Sequence, residues 1–442
     1  MLTTPFLTEL DSRAAIKGSR DPLGVQQIWT RLGRQVVGNL TTVSSSVRDF
    51  TVLLLGYYFV ERVAEEVGTD ADLATFLKWE QLAAYARASV NGETGFRGTE
   101  RVRQRLAEGG RVRLGTDRAA QILSNQKIYG LWGLFTVPAK ASGLLGGDPV
   151  RLTEEGRELI HAAYLPMLKE AGLGDGRAIV ERLRASASFL DLSAGSKDRP
   201  VLEAVAKLIK RLPPKAKAVY REHLLFGAEN PDETGRHGRQ RIFAELLIES
   251  LEIKDWQLSP LSLWSLATSA RRHGERGAEV AHHLQRICTA ERLLAPAVAL
   301  FEYALGCEGQ RPKDIAASVK QQWGTALRTT LDLGAIQELE SALDSPKDDP
   351  DARPRWVSLA RALHAARYDE ALELLLLQNT SVMKSRAAAA PWAAVREGKL
   401  QVQFRDENRL NLPDQSELPT YWLHAYFIES LRSVAHTLRG EP

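Results

Sequence analysis

The sequence is poor in cysteine: only Cys288 and Cys307 occur in 442 residues. Two thiols are too few to staple a chain of this size, which excludes a disulfide scaffold. Their surroundings, RICTAERLL and YALGCEG, are apolar with helical spacing, which predicts reduced core thiols. Long apolar runs are also missing. The longest, residues 52–60 (VLLLGYYFV), lies between Asp49 and Glu61 and is about half the length of a bilayer-spanning helix. Glu9, Asp11, Arg13 and Lys17 interrupt the first twenty residues before an apolar signal core can build. The expectation is a cytoplasmic bacterial protein with no membrane partner.

Catalytic spellings are absent as well. There is no GxxxxGK[ST], GxSxG, HExxH or Rossmann glycine pattern, so no cofactor is expected and the chain is read as non-enzymatic. Two partial spellings remain. Pro231-Asp232 followed by Glu252-Ile253-Lys254 matches a PD…(D/E)xK nuclease, in which Asp232 and Glu252 would hold a divalent metal and Lys254 would position a water. That chemistry needs its carboxylate and lysine on a strand, where alternate residues face the same way, whereas the preceding residues 240–251 have a 3.6 period. His282 and His283 with the two cysteines suggest zinc, but adjacent helical histidines point about 100° apart and no CxxC occurs, so no metal site is expected.

Charge of one sign is scarce overall and clustered locally. Lys+Arg is 58 against Asp+Glu 55, a net charge of +3. Arginine supplies 42 of the 58 cations, which fits a GC-rich genome and also a phosphate-facing surface. Residues 13–48 hold six cations against Asp21, and residues 97–118 hold seven arginines against Glu100, Glu108 and Asp117. The N-terminal third thus carries two basic stretches that the total conceals.

What the sequence has in quantity is helical periodicity. Residues 25–37 place Val25, Ile28, Trp29, Leu32 and Val36 on one stripe. Helices are also predicted over 49–67, 72–88 and 100–106. Residues 1–115 read as a helical N-terminal domain with basic stretches. Residues 116–172 read as a small α/β module, with a helix over 118–125. Residues 173–442 read as a helical domain, with helices over 178–190, 200–212, 216–226, 240–251, 260–269, 278–304, 315–333 and 419–438. Within it, 356–377 has the form of one helix–turn–helix hairpin of tetratricopeptide type, without a second copy. A small hairpin is predicted near 400–412. Trp256, Trp264, Trp422 and Tyr426 fall at helical spacing and are read as core. The fold class expected is mainly α and multi-domain, with strand confined mainly to 128–152 and 400–412.

The segment 121–168 gives the most specific resemblance. SGLLGGDPVRLTEEGRELI contains a strand, a Gly-Gly-Asp-Pro turn, a second strand, and a helix with Thr153 as N-cap and acids in its first turn. This resembles the wing and following helix of a winged helix-turn-helix domain, which implies contact with DNA or with a partner protein. The stretch in the recognition-helix position, 127–141, departs from the pattern, because Gly130, Gly133 and Pro138 are poor in helix interiors. Two further phrases, LDSRAAIKGSRDPLGVQQIWTRLGRQVVGNLTT and SNQKIYGLWGLFTVPAKASGLL, resemble uncharacterised bacterial proteins carried in anti-phage defence loci. That resemblance implies a place in a multi-protein complex.

If the module meets DNA, the phosphate ligands are expected to be Arg118, Lys127, Lys140, Arg151 and Arg157, with Ser124, Asn125, Gln126 and Ser142 as polar positioners. Arg97, Arg101, Arg103, Arg105, Arg111 and Arg113 would add a backbone-tracking surface. The reading is therefore a non-enzymatic, DNA-associated subunit that engages partner proteins through its helical C-terminal part. A purely structural protein–protein scaffold and the Asp232/Glu252/Lys254 nuclease stand as alternatives.

Overall fold

The computed structural model describes residues 21–186, 188–193, 195–228, 238–386, 390–403 and 411–439. Helix makes up 63% and strand 5%, so the mainly α expectation holds. The strands are short: β1 (Arg111–Leu114), β2 (Leu145–Gly146), β3 (Arg151–Leu152), β4 (Ser188–Asp191), β5 (Ala393–Arg396) and β6 (Lys399–Val402). They form three antiparallel two-stranded ribbons, β1–β4, β2–β3 and β5–β6.

Packing divides the chain into two units, neither contiguous in sequence. The first comprises the described residues of 21–36 and 255–426, and the second those of 37–254 and 427–439. The segment 1–115 is thus shared between them after Val36, and 116–172 falls wholly in the second.

The second unit is built on the helix Val47–Val67. It is apolar on nearly every face, so it is buried all round rather than along one stripe. The helix Asp72–Asn91 packs against it at Gly56, where an added Cβ would lie 2.6 Å from the Phe76 ring. The helix Arg199–Lys210 covers the Asp72–Asn91 helix in turn. The segment 116–172 is woven into this core. Phe135 meets Phe50 edge-on at 5.1 Å, and Trp132 stacks on Tyr57 at 5.3 Å. These contacts explain why 126–141 is helical (Gln126–Tyr129 and Leu131–Ala141) rather than extended, despite its aromatic and glycine-rich composition. Residues 118–125, expected as a helix, form turns.

In the first unit, the helix Gly274–Leu305 packs against Pro260–Ala270 and Val25–Gly33. A capping box between Ser259 and Ser262 starts the Pro260–Ala270 helix. The helices Ala352–His364 and Tyr368–Ser385 form the expected hairpin, turning at Ala366 with φ 54°. The hairpin expected near 400–412 is shifted: β6 pairs with the preceding β5, and residues 404–410 lie outside the described residues.

Three other expectations are corrected. The helix over 178–190 stops at Arg184, and Ser188–Asp191 leaves it to pair with β1. The helix over 315–333 breaks after Trp323 at Gly324. The last helix begins at Ile428, not 419. Tyr426 is buried, as expected, but Trp264 is 45% exposed and is not core.

Candidate nucleic-acid interface

The ribbon β1–β4 belongs to the second unit. Burial alternates along β1, so Val112 and Leu114 point inward and Arg111 and Arg113 outward. On β4, Leu190 is inward and Phe189 outward, 45% exposed. The register places Arg113 opposite Phe189 and Arg111 opposite Asp191. The Arg111 guanidinium lies 5.6 Å from the centre of the Phe189 ring. The outer face therefore presents an aromatic ring with two arginines beside it. Arg113 also lies 3.4 Å from Asp117 across a half-exposed pair, which screens it little and holds it weakly.

The other expected phosphate ligands fall into two groups. Arg103, Arg118, Lys127 and Lys140 are exposed to solvent. Five arginines interact within the chain instead. Arg105 donates to Tyr85 Oη at 2.9 Å, to Ala120 O at 2.9 Å, to Gln121 O at 3.0 Å and to Ala119 O. Arg101 adds a bond to Gln121 O at 3.3 Å. Both hold the turn 117–121 onto the helix Thr99–Glu108. Arg151 pairs with Asp72 at 2.7 Å. Arg157 reaches Glu61 at 3.5 Å and Glu154 at 3.4 Å. Arg97 is half-buried, and its charge acts on the buried Glu80. Arg101, Arg105 and Arg151 are thus anchors of the fold, while Arg157, with a 42% exposed side chain, is held by surface pairs.

The polar positioners are corrected in the same way. Gln126 is buried, donating to Leu77 O at 3.0 Å and to Glu80 at 2.8 Å and accepting from Gln81 at 3.0 Å. Gln81 in turn brackets Gly115 through its N–H and C=O. Ser142 is buried and accepts from Asn39 at 3.0 Å. Asn125 accepts from Ile128 N at 3.3 Å as an N-cap. Ser124 and Asn125 are the exposed pair of the four, and the Asn125 side chain is engaged as the cap.

The wing-like part is small. β2 and β3 pair over two residues each. Thr153 caps the helix Glu154–Leu159, accepting from Gly156 N at 3.2 Å and donating to Gly143 O at 2.7 Å. Glu61 fastens the hairpin by accepting from Leu152 N at 2.8 Å. In the recognition-helix position the chain breaks at Gly130, and its outward side chains are Ile128, Tyr129 and Val137, at 52%, 52% and 68% exposure, with Lys127 and Lys140 at the ends. This face is apolar in the middle and basic at its margins.

The nuclease spelling does not assemble. Glu252 and Lys254 lie exposed on the turn after the helix Arg239–Ser250, not on a strand, and Glu252 pairs with Arg439. Asp232 lies outside the described residues. Among the described residues no cluster of three His, Cys, Asp or Glu side chains could hold a metal, and no helix is long and apolar enough to cross a membrane.

Phe189 is the exposed aromatic of the candidate surface that periodicity missed. Its signal was the alternation Ser188-Phe189-Leu190-Asp191, which is too short to stand out beside the helix preceding it. No family model, curated protein or solved structure matches the chain.

Proposed function

We propose that the chain is a non-enzymatic subunit of a bacterial multi-protein complex, in the setting of anti-phage defence, that holds DNA by its backbone. The observation that carries this reading is the outer face of the β1–β4 ribbon, where Arg111 and Arg113 flank the exposed Phe189. Guanidinium groups pair with phosphates, and an exposed ring gives a base or sugar a surface to rest on. Exposed Arg103, Arg118, Lys127 and Lys140 extend the positive field. Among the described residues no base-reading element accompanies them, so binding on this reading is sequence-independent. The test is duplex binding by the whole chain at several salt concentrations, repeated with Arg111→Glu and Arg113→Glu together. Weaker binding and a shallower salt dependence are expected. A variant that binds like the wild type would remove the ribbon from the interface. A fragment ending at residue 172 is unsuitable, because β1 would lose β4.

A second reading has its own support. The face Ile128, Tyr129 and Val137 is apolar and exposed, which suits a protein partner better than a major groove. On this reading the winged-helix-like hairpin and its neighbouring helices dock another subunit. Val137→Glu would abolish co-purification with that subunit while leaving DNA affinity unchanged.

A further inference from the structure

In the second unit, the junction between the helices Arg199–Lys210 and Pro214–Tyr220 carries charge of one sign. Residues 204–221 contain six cations and no acid, unlike either basic stretch of the N-terminal third. Lysine is the rarer cation of the chain, 16 against 42 arginines, yet four lysines fall within residues 207–217. An arginine-rich composition therefore does not account for the run. Lys207, Lys210, Arg211 and Lys215 are exposed. Among the described residues, none of these four forms an ion pair or a side-chain hydrogen bond. The acids that flank the run in sequence are engaged elsewhere: Glu203 pairs with Arg199 at 2.6 Å, and Glu222 pairs with Arg241.

Fold stability explains only part of this arrangement. Lys207 and Lys210 stand in the last turn of their helix, where the dipole favours a cation. Lys215 stands in the first turn of the next helix, where the dipole disfavours one and no acid compensates it. Like charges gathered in this way also repel one another.

We propose that this junction holds the phosphate backbone of nucleic acid. A protein interface or a membrane anchor needs an apolar centre. Among the described residues, no large apolar side chain between Leu190 and Glu252 is exposed. A phosphate backbone needs none, because affinity comes from the counterions that the bound cations release. Lysine is a flexible point charge, so it can follow a line of phosphates without fixing a base. The proposal shares its partner with the DNA reading but none of its residues, so either can fail alone.

The test is salt-dependent binding of the whole protein to duplex DNA, with Lys207→Gln, Lys210→Gln and Lys215→Gln combined. Glutamine removes the charge and keeps the helix propensity. The log–log salt slope is expected to fall by about two to three, at roughly 0.9 per phosphate. The three Lys→Arg changes together should keep the wild-type slope. A circular-dichroism melt shows that each variant is folded. Lys215→Gln alone, at a position where lysine gains nothing from the dipole, should lower the slope by about one and decides the matter if the triple variant unfolds. Wild-type affinity and slope in the Lys→Gln proteins would overturn the proposal, whatever the Arg111→Glu and Arg113→Glu protein does. The reverse pattern, a reduced slope in the Lys→Gln proteins and a wild-type slope in the ribbon variant, would support the junction and remove the ribbon. No binding by the wild type at about 50 mM salt would overturn the proposal. So would tighter binding, through the same three lysines, of phosphatidylserine vesicles or polyglutamate than of the duplex.

Discussion

Gln126 donates a hydrogen bond to Glu80 at 2.8 Å, and both side chains are buried. Leu131 N donates to the other Glu80 oxygen at 2.7 Å. Glu80 thus ties the segment 126–131 to the helix Asp72–Asn91. Burial nevertheless pushes its carboxyl up to about 7.

This gives the first prediction, a pH dependence of stability. The folded pKa is raised above the unfolded value, so the folded state prefers the proton. Stability is fully present below the ordinary carboxyl value of 4.5 and is lost as pH rises through about 7. The loss has an upper bound of about 3–4 kcal/mol, from about 1.4 kcal/mol per pKa unit. Urea unfolding at pH 5 and pH 8 measures it. Glu80→Gln should flatten the profile over this window, and an unchanged profile in that variant would place the titration elsewhere.

The second prediction separates anchoring arginines from surface ones. Arg105→Ala removes the donor to the Ala120 carbonyl and to the Tyr85 hydroxyl and leaves the Gln121 carbonyl with Arg101 alone. It should cost about 1–3 kcal/mol of stability. The Arg111→Glu and Arg113→Glu pair, both exposed, should change stability by less than about 0.5 kcal/mol each. In DNA binding the order reverses: the double variant should reduce the log–log salt slope by about two, at roughly 0.9 per phosphate. A melt and a salt titration on both proteins check the two halves separately.

The third prediction concerns the cap. Thr153 Oγ1 both accepts from Gly156 N and donates to Gly143 O, so one hydroxyl starts a helix and closes the hairpin before it. Thr153→Ala should cost about 1 kcal/mol, seen as a melting point lower by about 2–4 °C. Thr153→Ser, which keeps the hydroxyl, should restore most of it.

The fourth prediction concerns the thiols. Cys288 and Cys307 are both buried thiols that form no disulfide, and burial raises Cys288 to about 12. Native protein at pH 8 should therefore react with a thiol reagent only on unfolding, and denatured protein should titrate two thiols. Rapid reaction of Cys288 in the native state would show that the helix Gly274–Leu305 opens locally.

The sequence by itself determined the class and the long elements. Val47–Val67 and Asp72–Asn91 were legible because an apolar pattern over five turns has few other outcomes. Thr153 was legible as a cap because capping is a contact across three residues. The fate of the arginines was not legible. Arg103 and Arg105 are two residues apart on one helix, yet Arg103 faces water and Arg105 binds the 119–121 carbonyls.

Only tertiary structure decided the rest, because the deciding partners lie far away in the chain. β1 finds β4 about 77 residues on, and four residues are too few to signal such a pairing. Residues 126–141 turn helical because Phe50, Tyr57 and Glu80 receive them, against the preference of their glycines and β-branched side chains. Leu423 and His424 stay out of the last helix because their N–H groups point at Glu291, more than 130 residues earlier. Local periodicity reports which face of a segment is apolar. It carries no information about a buried carboxylate elsewhere in the chain, and burying that charge requires these N–H donors.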